Sequence, residues 1–212
     1  MGLRRGGKHP GRLTGEELAE QATPFGLAGE TQETLAMPIR SMTDQDRARR
    51  DEMVLKAEHL KQAGICPACR DFETSDVYPD RTSRTFYEDE TFVCMLEAYP
   101  RTPGHSIILV KPHYEDLAEL PLAVSLRMVP VIHSAIRALK DVLRAEKVYA
   151  CTMCDGDRNH FHLQLLCRLP AETTRGSKLL VKERGVLCDD REMIDRLRAA
   201  MKAHMMDAAA RN

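Results

Sequence analysis

Asn159-His-Phe-His-Leu-Gln-Leu-Leu-Cys-Arg168 is the stretch whose reading decides the fold. His160, His162 and Gln164 alternate with Phe161, Leu163 and Leu165, and Cys167 continues the apolar set. A period of two is the signature of a β-strand with one polar and one apolar face. At about 3.3 Å of rise per residue, next-but-one neighbours stand roughly 6.6 Å apart, so two imidazoles and a carboxamide form a row able to meet one phosphate-sized ligand. A half-exposed strand with two solvated histidines has the same pattern. The rest of the chain has to separate the two.

The chain has 212 residues, 43% of them apolar and 30% charged, which is enough for one full core. A formal net charge of -1 gives no chain-wide field toward nucleic acid or an anionic membrane, so any phosphate ligand must be held by local cations. We expect no nucleic-acid partner and no membrane partner. No apolar run approaches the length of a membrane span, and Met1 to Arg12 carries arginines without the apolar segment of a secretory signal. The expected location is therefore cytoplasmic. Seven cysteines, an odd number in a reducing compartment, point to metal ligation where two of them are closely spaced.

Residues 1–40 are rich in Gly, Arg, Pro and Thr and read as a disordered or over-extended tail. A surface helix is predicted from Thr43 to Gln62, stopped by Gly64. Thr85 to Tyr87 and Phe92 to Leu96 read as paired strands, and His105 to Val110 as a central one. Leu122, Leu126, Val129, Ile132, Ile136, Leu139 and Leu143 recur every three or four residues and predict a long helix with these residues as its core stripe. Pro130 should kink it or split it. Val148 to Cys154 reads as a strand, Asp155 to Arg158 as a turn, Lys178 to Val181 as a short strand, and Asp190 to His204 as a terminal helix. Strands on both sides of a long helix predict an α+β domain over 41–170 with a mainly antiparallel sheet, followed by a C-terminal extension over 171–212.

Cys66-Pro-Ala-Cys69 has the spacing that lets two thiolates reach one zinc from a single turn. Borderline nitrogens complete such a tetrahedral site, and His113, just past one strand, and His160, at the head of another, are the candidates. Cys151 and Cys154 are an alternative second pair. They fall in a predicted strand, where an offset of three turns side chains to opposite faces, so the preferred set is Cys66, Cys69, His113 and His160.

The run Arg84 to His113, containing Tyr87-Glu-Asp89 and Pro103-Gly-His105, followed by a helix and Asn159-His-Phe-His-Leu-Gln164, resembles the histidine triad superfamily of nucleotide-binding proteins. The pieces come in that family's order from about Cys66 to Pro170. The last triad position is Gln164, which resembles the branch of galactose-1-phosphate uridylyltransferase and the diadenosine tetraphosphate phosphorylases. The resemblance implies a HIT-like fold and a structural zinc held by the same four residues. It further implies that His162 is a nucleophile forming a nucleotidyl-histidine, with a nucleotide or nucleotide-sugar substrate and a homodimeric assembly. Glu97 falls where relatives place an acid that binds ribose hydroxyls. Gln164 can donate to a phosphoryl oxygen but cannot shuttle a proton, which favours transferase or phosphorylase over hydrolase. Arg158, Arg168 and Lys111 are the nearest cations in sequence for phosphate. His105 reads as structural. The competing readings are a nucleotide-binding or sensing module without turnover, and a zinc-stabilised interaction domain.

Overall fold

The computed structural model describes residues 39–153, 158–188 and 191–210. Nearly all of the predicted 1–40 tail, Cys154 and most of the 155–158 turn lie outside them.

A short strand β1 (Ile39–Arg40) leads into helix α1 (Asp44–Gln62). Thr43 caps that helix: its hydroxyl accepts from Asp46 N–H at 3.2 Å, while Asp46 accepts from Thr43 N–H at 2.9 Å. Helix α2 (Pro67–Thr74) starts with Pro at its first position, where a missing N–H costs nothing. One turn, α3 (Arg81–Arg84), then precedes β2 (Thr85–Glu88) and β3 (Phe92–Leu96). After β4 (Ser106–Val110) come the long α4 (Leu122–Leu143), β5 (Lys147–Cys151) and β6 (His162–Arg168). A 3-10 helix (Gly176–Val181), β7 (Val186–Leu187) and α5 (Arg191–Ala210) complete the described chain. The predicted strand at Lys178 to Val181 is thus helical: only Leu179 turns inward, and the segment has no period of two to pair.

The protein is α+β, with a five-stranded antiparallel sheet in the order β2-β3-β4-β6-β5. Register sorts its residues cleanly. Phe92, Cys94, Leu96, Ile108, Val110, Leu165 and Cys167 face α4 and α5 and are buried with Met128, Ala135, Leu139, Met193, Leu197 and Met201. Each of the Phe, Leu, Ile, Val and Met side chains among them stabilises the fold by about 1.5–3 kcal/mol on burial. The opposite face carries His162 beside Leu109, then Gln164 between Ile107 and Cys151, then His105 in the next row. One face makes the core and the other presents the site.

Two features of α4 differ from the sequence expectation. It runs unbroken through Pro130, since one missing hydrogen bond is tolerable in a 22-residue helix held by packing on one side. Its buried stripe is Met128, Val131, Ser134, Ala135, Ala138, Leu139 and Leu143, whereas Leu122, Leu126 and Val129 are 74%, 63% and 60% exposed. Small residues, which the apolar count passed over, let the helix approach the sheet and α5. By length and composition alone α4 reaches the range of a membrane span, contrary to the reading of apolar runs, but its C-terminal half packs into the core.

Gly104, at φ +76°, makes the turn that delivers His105 to β4. A Cβ there would lie 2.3 Å from Leu143 Cδ1 and 3.0 Å from Cys167 Sγ, both in the core. Gly104→Ala combines a disfavoured φ with overpacking and is expected to destabilise by about 2–4 kcal/mol, read as a lower urea midpoint at unchanged slope. A midpoint equal to that of the parent would contradict this packing.

Candidate active site

Cys66 and Cys69 sit three residues apart at the start of α2, so their thiols share one side of its first turn. His113 follows β4 and His160 precedes β6, and these strands are neighbours. Pairing therefore brings four residues that span 95 positions of sequence into one cluster, with all ligand atoms within 4.8 Å of one another. Cys66 Sγ is 3.4 Å from His160 Nδ1, Cys69 Sγ is 3.5 Å from the same nitrogen, and Cys69 Sγ is 3.4 Å from His113 Nδ1. A regular tetrahedron with metal–sulfur bonds of about 2.3 Å and metal–nitrogen bonds of about 2.0 Å has sulfur–nitrogen edges of about 3.5 Å, so these spacings fit a zinc-sized ion. His160 Nε2 lies 2.7 Å from Val110 O, to which its N–H donates, leaving Nδ1 as a lone pair. Burial first, then the adjacent Cys66, pushes the Cys69 thiol up to about 12. Two thiolates side by side thus call for a cation between them. Cys151 stands opposite Gln164 across β5 and β6 and takes no part in the cluster.

β6 itself begins at His162, so His160 lies before the strand rather than within it. That offset has a chemical result. The backbone carbonyl of His160 is 2.9 Å from His162 Nδ1 and can only accept, so Nδ1 carries the proton and Nε2 presents its lone pair. The tautomer a histidine nucleophile needs is set by the residue whose side chain faces the cysteines.

Gln164 is oriented by the same kind of logic. Arg101 N–H donates to His105 Nδ1 at 3.2 Å, so the hydrogen of the neutral ring is on Nε2, which lies 3.2 Å from Gln164 Oε1. His105 is 1% exposed, and burial above all pulls its pKa down to about 4, so the ring is neutral at physiological pH. The amide oxygen of Gln164 is thereby used as acceptor, and its NH₂ is left to donate into the pocket.

That pocket, of about 250 Å³, has His160, His162, Gln164, Ile107, Leu109 and Met95 on the sheet side and Ala68, Asp71 and Phe72 of α2 as its wall. Asp71 is buried and accepts from Val77 and Tyr78 N–H at 3.0 and 2.9 Å, folding the loop that brings Tyr78 to the cavity. Arg81 lies 4.9 Å over the Phe72 ring. Buried Arg84 donates to the carbonyls of Asp80, Pro79 and Leu96. Lys61, Arg81, Arg84, Arg158 and Arg184 line the cavity against two carboxylates, Asp71 and Glu97, a balance suited to an anionic ligand.

Of the residues expected to bind substrate, Glu97 and Arg158 line this pocket. Arg158 also donates to Gly64 O at 3.2 Å. Lys111 and Arg168 lie outside the lining. Lys111 pairs with Glu88 at 2.7 Å, and Arg168 pairs with Glu146 at 2.7 Å at the far end of β6. For Arg168 nearness in sequence misleads because the six residues of strand after His162 extend about 20 Å. Asp71, Tyr78, Arg81, Arg84 and Arg184 were not anticipated. None stands in a motif, and Arg184 comes from the C-terminal extension.

Compared with known proteins, residues 79–163 match the family model described as the HIT domain. An adenylylsulfatase of Arabidopsis thaliana, HINT3, is 43% identical over 53 residues, covering 24% of this chain and 27% of that protein. An uncharacterised HIT-like protein of Saccharolobus solfataricus is 28% identical over 87 residues, covering 36% of this chain and 60% of that one. The chain therefore spans less than two thirds of either relative. Among solved structures, a uridylyltransferase superposes with a TM-score of 0.52 at 18% identity over 74% of this chain and 50% of that chain, a likeness of fold. The HIT-domain match covers about 40% of the chain and falls on the strands entered at His105 and at the paired histidines, so that stretch is similar to the HIT domain.

Proposed function

We propose that this protein is a nucleotide-binding enzyme that moves a nucleoside monophosphate group through a covalent intermediate on His162. The observation that carries this reading is the 2.9 Å contact of His162 Nδ1 with His160 O, which leaves Nε2 as a lone pair in a cation-lined pocket. In the first step that lone pair forms a bond to the α-phosphorus, and the bond from phosphorus to the leaving oxygen breaks, its electron pair departing with the leaving group. In the second step an acceptor oxygen displaces Nε2 and returns the lone pair to the ring. Gln164 NH₂ donates to a non-bridging oxygen where negative charge gathers.

Neither Gln164 nor His105 can protonate a leaving group: one is an amide, and the other spends its N–H on Gln164. Leaving groups that depart as stable anions, such as sulfate, pyrophosphate or a nucleoside polyphosphate, fit this site. The adenylylsulfatase relative is consistent with such a leaving group. With no third histidine to activate water, the intermediate is suited to transfer or phosphorolysis, as in the uridylyltransferase and phosphorylase branch. Cys66, Cys69, His113 and His160 are proposed to hold a structural zinc ion, and the exposed Leu122, Leu126 and Val129 to be covered in a homodimer.

The test is intact-mass spectrometry after mixing the protein with adenylyl sulfate, nucleoside triphosphates and nucleotide sugars. A single added nucleoside monophosphate, stable to base and labile to acid, is expected. Nucleotide binding without any adduct across the panel would replace the enzyme by a nucleotide-sensing module. A related expectation concerns the amide: Gln164→Leu and His105→Leu should each slow adduct formation by about 10–100-fold, and together no more than Gln164→Leu alone. Additive losses in rapid-quench kinetics would break the proposed link between the two.

A further inference from the structure

Residues beyond the HIT-domain match also build the pocket. Gly185 and β7 are pinned to the loop after β3, with Gly185 N–H donating to Pro100 O at 2.8 Å and Leu187 N–H to Ala98 O at 3.1 Å. β7 pairs with β1 as well. Only glycine fits at position 185, where a Cβ would come within 2.3 Å of Ile39 Cγ2 and 2.8 Å of Arg40 O. Backbone held this closely delivers Arg184 to one place. Its Nη1 donates to Tyr99 O at 2.7 Å and stands 3.8 Å from Glu97 Oε1, the two side chains being 24% exposed each.

Glu97 is consequently held on one side. Oε1 faces Arg184 and also accepts from Tyr99 N–H at 3.5 Å, while among the described residues Oε2 accepts no hydrogen bond. A carboxylate secured at one oxygen and open at the other suits a pair of hydroxyl donors. Withdrawing such a group from water beside Met95, Ala98 and Ile107 is costly without a cation. Arg184 supplies that cation, whereas Arg84 has its nitrogens committed to carbonyls.

We propose that Arg184 is a positioning residue that holds the Glu97 carboxylate for the hydroxyls of a ribose, so that the C-terminal extension sets a preference for ribonucleotides over deoxyribonucleotides. This rests on the nucleotide reading above and on Glu97 as the ribose acid. Arg184 lies outside the matched domain and is held by hydrogen bonds from its own segment to Ala98, Tyr99 and Pro100 inside it, so discrimination of the sugar depends on a part of the chain that takes no part in the phosphoryl chemistry.

Titration calorimetry of the full chain with the four ribonucleoside monophosphates and their 2′-deoxy counterparts tests it. The parent is expected to favour the ribo form of the nucleotide it binds by about tenfold, the worth of one hydrogen bond to a charged group. Arg184→Leu should reduce this ratio to about twofold or less, Arg184→Lys should restore part of it, and Glu97→Gln combined with Arg184→Leu should lower it no further. Thermal midpoints check that each variant is folded. If the parent discriminates, Glu97→Gln abolishes the discrimination and Arg184→Leu retains it, the role of Arg184 is overturned. Equal weakening of ribo and deoxy forms by Arg184→Leu would overturn it too, making Arg184 a phosphate contact. Discrimination untouched by Glu97→Gln would instead remove Glu97 as the ribose acid, and absence of binding by any nucleotide would remove the nucleotide reading itself.

Discussion

His162→Ala is expected to abolish the nucleotidyl adduct and lower turnover by about 10³-fold or more, the scale seen when a covalent nucleophile is removed. The argument is one of geometry. Of the two histidines described in the pocket lining, His162 is the one whose tautomer-fixed lone pair, on Nε2, is not turned toward the cysteines, since the His160 carbonyl occupies its other nitrogen at 2.9 Å. His160 cannot substitute: its Nε2 hydrogen is on Val110 O, and its Nδ1 faces two thiols. His105 cannot either, because its two nitrogens are engaged with Arg101 N–H and Gln164. His162 is half-buried and makes one polar side-chain contact to backbone, so the variant should stay folded and bind nucleotide. Mass spectrometry of the variant showing an undiminished adduct would place the nucleophile elsewhere.

The second large effect concerns the metal cluster. If Cys66, Cys69, His113 and His160 hold the proposed zinc ion, Cys66→Ser is expected to release it and destabilise the protein by about 4 kcal/mol, the stabilisation supplied by a ligand present at a thousandfold its dissociation constant. It should weaken nucleotide binding too, because Ala68, Asp71 and Phe72 of the pocket wall sit on the helix that these cysteines tie down. Cys151→Ser should leave metal content unchanged. The pH dependence has a definite sign. Without the ion, burial holds the Cys69 thiol protonated, so binding must expel protons, and affinity falls as pH falls, by up to about 100-fold per unit when two thiols are discharged. Burial pulls the pKa of His160 down, so this histidine adds little to that proton release. Metal analysis after dialysis over a pH series checks the slope, and equal metal content in Cys66→Ser and the parent would remove the assignment.

Legibility of the sequence followed how local each cause is. The alternation from His160 to Cys167 put polar and apolar side chains on the faces where the sheet has them, because a period of two is a property of the strand alone. The spacing of Cys66 and Cys69, and the histidines at two strand ends, likewise foretold a cluster that β4 and β6 then assemble. In α4 the buried stripe departs from the apolar periodicity at Leu122, Leu126 and Val129, since helical periodicity marks more than one apolar face and only the neighbours choose which is buried. Adjacency in sequence points to Lys111 and Arg168, but Arg168 stands at the far end of β6 on Glu146, and Lys111, just past β4, is paired with Glu88.

By itself the sequence determined the class of fold, the strand that carries His162 and Gln164, and the cluster of residues able to hold a metal, because these depend on residue type and short-range spacing. Tertiary structure decided the proton positions and the partners. Which nitrogen of His162 is free, which end of the Gln164 amide meets the pocket, and that Arg184 stands beside Glu97 all follow from hydrogen bonds. The carbonyl that settles His162 belongs to a residue only two positions away, yet its direction is set where the chain enters β6. Arg184 approaches Glu97 from 87 positions downstream, through backbone contacts that residue types alone do not specify.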